Sequence, residues 1–79
     1  NNNVVLPINS RESGVVEYSI FDIKGEKVMS SKSFFIDKNI KHISWNGKRS
    51  NGKEVSSGTY FFQIKNKNHS KIRKVSYLK

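Results

Sequence analysis

Hydrophobic and polar residues alternate with a period of two along much of this chain. No window places apolar residues at i, i+3, i+4 and i+7, so the pattern predicts strands and no helix. From Val15 to Asp22, Val16, Tyr18 and Ile20 fall on one face and Val15, Glu17, Ser19 and Phe21 on the other. Asp22-Ile23-Lys24-Gly25 predicts a turn with Gly25 in the left-handed conformation, and Glu26 to about Phe35 returns as the second arm of a hairpin. Ile40 to Trp45 reads as a third main strand with Lys41, Ile43 and Trp45 on one face. Thr59 to Lys65 alternates most cleanly, with Tyr60, Phe62 and Ile64 inward and Phe61, Gln63 and Lys65 outward. In the closing strand, Ser70 to Leu78, either face could turn inward: Arg73, Val75 and Tyr77, or Ile72, Lys74, Ser76 and Leu78. Pro7 interrupts Val4 to Ile8 and confines that segment to an edge or a strand end. Polar loops are expected at Ser10 to Gly14, Asp37-Lys38-Asn39 and Asn66 to His69. The spacing predicts an all-β sandwich of about seven antiparallel strands, residues 4–79 forming one domain behind a linker remnant, Asn1 to Asn3.

The stretch from Trp45 to Phe62 carries the densest information. It holds Gly47, Gly52 and Gly58 among Trp45, Tyr60, Phe61 and Phe62. Glycine enters positive φ without steric cost, and flanking aromatics supply the area a small sheet must bury. Two turns around a short extended piece, Lys53 to Ser56, account for it. Gly25, Gly47 and Gly52 are therefore turn residues, with Trp45, Tyr60 and Phe62 as core anchors. Phe61 and Phe35 are the better candidates for aromatics that face a partner.

Composition narrows the function more than the fold. At 79 residues the domain is too small for a large ligand cavity. The absence of cysteine excludes disulfides, thiolate metal sites and cysteine nucleophiles. His42 and His69 lie in no serine–carboxylate pattern. Glu12, Glu17, Asp22, Glu26, Asp37 and Glu54 are spread one to a strand or loop. Asn46, Ser50 and Asn51 could offer oxygen ligands, but Lys48 and Arg49 between them repel a cation. No enzyme, metal or cofactor is expected.

The net charge of +9 favours anionic partners, yet the lysines are scattered. The denser run comprises Lys65, Lys67, Lys71, Arg73, Lys74 and Lys79. No nucleic-acid-binding motif accompanies them. No apolar run is long enough to span a membrane as a helix. Opening on Asn1-Asn2-Asn3 without Met, the sequence reads as a piece of a longer protein.

The ordered set Tyr18-Ser19-Ile20-Phe21-Asp22-Ile23-x-Gly25-x-x-Val28, Trp45-Asn46-Gly47, Asn51-Gly52-x-x-Val55 and Gly58-Thr59-Tyr60-Phe61-Phe62 resembles one module. It is similar to the C-terminal sorting domain (type A) of type IX secretion cargo in Bacteroidota, and to the related immunoglobulin-like domain of the flagellar hook-capping protein. The resemblance covers Val15 to Lys79. It implies an immunoglobulin-like β-sandwich on a protein secreted through the periplasm and outer membrane of a Gram-negative bacterium, to the medium or the cell surface. The implied partners are the outer-membrane secretion machinery and a sortase-like protease, with anionic lipopolysaccharide as an attachment point and no nucleic acid. The family's signature positions map onto Gly58, Tyr60, Lys74, Val75 and Lys79, and with Arg73 these are the candidate recognition residues.

Two departures stand out: Asn46 and Arg49 occupy positions where the family usually has Asp, and the Tyr/Phe-Pro-Asn-Pro opening is missing. The alternative readings are a structural or interaction module, of the hook-cap kind or appended to an extracellular enzyme, and an acidic-glycan or nucleic-acid binder. An exposed terminal edge strand is the expected recognition strip, and either a monomer or an edge-strand dimer fits.

Overall fold

The computed structural model describes residues 3–7, 14–36, 42–66 and 69–79, with the backbone alone at 30–32 and 34–36. Six strands follow in order: β1 (Val4–Pro7), β2 (Gly14–Phe21), β3 (Lys27–Ile36), β4 (His42–Trp45), β5 (Gly58–Asn66) and β6 (His69–Tyr77). They form two antiparallel sheets, a pair β1-β4 and a four-stranded sheet in the order β3-β2-β5-β6. No helix occurs among the described residues.

Among the described residues the strands number six, where about seven were expected. Lys53 to Ser56, the extended piece between two turns, makes a single bridge, Lys48 to Glu54, and extends no ladder. Ile8, residues 10–13, Asp37 to Lys41 and residues 67–68 lie outside the described residues, as do Asn1, Asn2 and the Phe35 side chain.

Alternation decides which side of each strand is buried. Val16 and Ile20 of β2, Ile43 and Trp45 of β4, and Tyr60 and Phe62 of β5 are all buried. All of these but Val16 join Leu6, Val28, Val55 and Tyr77 in one core cluster between the sheets. Trp45 is its hub, with ring centroids 5.2 Å from Tyr60, 5.9 Å from Phe62 and 5.5 Å from Tyr77. Such tilted and edge-on contacts suit the aromatic quadrupole. Tyr18, partly buried, stacks on Phe62 at 6.1 Å.

The hairpin turn forms as its residues dictate. Asp22 Oδ1 accepts hydrogen bonds from the backbone N–H groups of Lys24 and Glu26, each at 2.9 Å, and Gly25 takes φ 86°. Among the described residues β1 pairs with β4 alone, and Pro7 stands opposite His42 as the last residue of this short strand. The small sheet is only four residues long and lies over one end of the larger one. Val75 and Tyr77 of β6 reach beneath it, whereas His69 to Lys74 do not.

Candidate functional site

β6 is hydrogen-bonded to β5 and closes the larger sheet as its edge. Register resolves the face that sequence left open. Tyr60 pairs with Val75 and Gly58 with Tyr77, so Val75 and Tyr77 point into the core. Ile72 and Leu78 are 67% and 68% exposed. The first six residues of β6, His69 to Lys74, are exposed on both faces.

The six recognition candidates therefore separate into two groups. Tyr60 is 6% exposed and Val75 packs against the core, so both belong to the scaffold. Arg73, Lys74 and Lys79 are exposed cations, and Gly58 is exposed in an extended conformation that opens β5, where a turn was expected. Gly25 and Gly52 adopt φ 86° and 88° with open space around each, as turn residues do. Gly47 is under a second constraint. A Cβ there would lie 2.1 Å from the Tyr77 ring, so the turn must be glycine both to reach φ 78° and to let the ring pass.

The segment from Asn46 to Ser57 is held against the terminal strand by polar tips of core aromatics. The Trp45 indole N–H donates to the Lys48 carbonyl at 3.0 Å, and the Tyr60 hydroxyl to the Ser56 carbonyl at 2.7 Å. The Tyr77 hydroxyl donates to Glu54 Oε2 at 2.6 Å. Asn46 and Asn51 cap their own turns by accepting from the N–H groups of Lys48 and Lys53. Beyond β6, the Lys79 backbone N–H donates to Ser57 Oγ at 2.9 Å, and Lys79 Nζ lies 4.0 Å from Glu54 Oε1. Tyr77 to Lys79 is thus latched onto the Glu54–Ser57 loop.

Sequence reasoning placed Glu54 only among scattered carboxylates and left Tyr77 undecided. The available signal was the apolar body and polar tip of a tyrosine two residues from Val75, on the same face. The Glu54 carboxylate as hydrogen-bond acceptor, and burial after it, push the Tyr77 hydroxyl above its ordinary value; burial alone raises Tyr18.

Among the described residues, no group of three or more His, Cys, Asp or Glu could hold a metal ion. His42 and His69 are exposed, on strands of different sheets. β6 is thus an exposed edge strand latched to a glycine-turn loop, over an aromatic core.

The whole chain, residues 1–79, matches the CHU_C type IX secretion signal domain, and the protein belongs to that family. The family is one of sorting signals and not of catalytic domains. Its members direct a protein through the outer membrane to the cell surface or beyond, by way of the type IX secretion machinery. No curated protein and no solved structure matches the chain.

Proposed function

We propose that the sorting signal is read from the exposed strip of β6, with the latched segment Tyr77 to Lys79 fixing its position. Arg73, Lys74 and Lys79 are the contact residues in this reading, with Ile72 and Leu78 as apolar neighbours. Gly58, Tyr60 and Val75 shape the strand from behind. The observation that carries the reading is the edge itself: nine residues of strand with a partner on one side, the first six exposed on both faces. Such an edge offers backbone N–H and C=O groups to an added strand, and its side chains set specificity. A sortase-like protease then separates the module from its cargo, and anionic lipopolysaccharide serves as the attachment point.

The test is export of a reporter fused to residues 1–79. Deleting Ser76 to Lys79 also removes buried Tyr77, so loss of secretion there would not separate unfolding from lost recognition. Surface variants do separate them. Arg73→Glu combined with Lys74→Glu, and Leu78→Glu alone, should hold the reporter in the periplasm while its melting temperature is unchanged. Normal secretion of both variants would overturn the proposal.

A further inference from the structure

The face of the four-stranded sheet turned away from the core carries a row of residues of which only Lys74 belongs to the proposed sorting contacts. Register places Lys27 opposite Phe21, Phe21 opposite Phe61 and Phe61 opposite Lys74. Cross-strand partners share a face, so one row across β3-β2-β5-β6 reads cation, aromatic, aromatic, cation. Both rings are partly exposed, and both lysines are exposed. The Lys27 ammonium lies 5.8 Å from the Phe21 ring centroid, a cation–π distance that holds the charge over the aromatic surface. In the rows behind, Ile72 is 67% exposed, and the acid on this face, Glu17, stands opposite Lys65.

We infer that this row is a binding site for an acidic polysaccharide lying across the strands. Neighbouring strands are about 4.8 Å apart, so the two lysine backbones at the ends are separated by about 14 Å. The row is long enough to meet a polymer with repeated negative groups at both of its ends. Between the two lysine positions the row holds two partly exposed aromatic rings and no carboxylate. Their exposed aromatic surface suits the C–H face of a sugar ring, whose charged substituent then reaches a lysine. A nucleic-acid strand would also satisfy cations and aromatic faces. The polysaccharide is favoured because family membership places this face outside the outer membrane.

Polygalacturonate is the probe, with dextran, galacturonate monomer and single-stranded DNA for comparison, measured by calorimetry on the 79-residue chain at about 50 mM salt. Polygalacturonate should bind, and dextran and the monomer should not. Lys27→Glu, Lys74→Glu and Phe61→Ala should each weaken binding about fivefold or more, with folding checked by circular dichroism. Lys53→Glu, on the β4–β5 connection and outside the row, should change it by less than about twofold. Equal losses from Lys53→Glu and Lys74→Glu would reduce the site to diffuse charge and overturn the inference. So would polygalacturonate binding that is absent, or unchanged in Lys27→Glu, or DNA binding as tight as polygalacturonate. Lys27 lies off β6, so its variant should still be secreted, and the fates of the two proposals can be told apart.

Discussion

Gly47 shows how one position can answer to two demands. Its φ of 78° disfavours any side chain, and the Tyr77 ring occupies the place where a Cβ would go. Gly25 and Gly52 share the dihedral but face open space. Gly47→Ala should therefore cost about 2–5 kcal/mol, strain and overpacking together, whereas Gly25→Ala should cost about 1–2 kcal/mol from strain alone. Chemical denaturation of the two variants checks this; equal losses would mean that the ring moves aside freely. The same ring carries a pH signature. Hydrogen bonding to Glu54, then burial, raises the Tyr77 hydroxyl in the folded state. An unfolded tyrosine releases its proton near pH 10, so above that pH the folded chain holds more protons than the unfolded one. The contribution is complete below about pH 10 and is lost as pH rises through the higher folded value. Melting temperatures recorded between about pH 9 and about pH 11 should fall less steeply for Tyr77→Phe than for the parent chain. Some slope should remain, because partial burial raises Tyr18 as well.

At the scale of elements, strands were legible where one face is buried and the other wet. Tyr60-Phe61-Phe62 announced its own orientation, and β5 carries it out with Tyr60 and Phe62 buried and Phe61 half-exposed. β6 could not be read the same way. Six of its nine residues are exposed on both faces, so burial imposes no alternation there, and Ile72 mimics a core residue while lying on the outside. The short extended piece before Ser57 failed as a strand for a related reason. Its Val55 is buried, but Tyr60, Tyr77 and the Gly47 carbonyl hold the loop through separate hydrogen bonds in place of a ladder. The candidate site was half legible. Exposed cations at Arg73, Lys74 and Lys79 followed from the terminal run, while the latch through Glu54 and Ser57 joins residues more than twenty positions apart. The row Lys27–Phe21–Phe61–Lys74 likewise depends on a register shift in the β2-β3 hairpin, between Tyr18 and Phe21, that period-two counting does not supply.

For the whole molecule, fifteen basic side chains against six acidic ones dominate the electrostatics of a body only 34 × 23 × 21 Å in extent. An ion pair among the described residues, Lys79 to Glu54, is at the limit of contact at 4.0 Å, with both side chains substantially exposed. Exposed pairs of that kind contribute little, while like charges crowded on a small surface repel one another in the folded state more than in the expanded chain. The balance predicts that salt stabilises this protein. Raising ionic strength from about 10 mM to about 150 mM shortens the screening length from about 30 Å to about 8 Å. The first exceeds most distances within the molecule and the second does not. The melting temperature should therefore rise over that range, most of the gain coming at its lower end, in sodium chloride and in a salt of a different monovalent anion alike. A fall would mean that specific ion pairs outweigh repulsion. A rise confined to one anion would point to bound anions at a defined site. A uniform rise that Lys27→Glu and Lys53→Glu diminish equally is the signature of a charge excess spread over the whole surface.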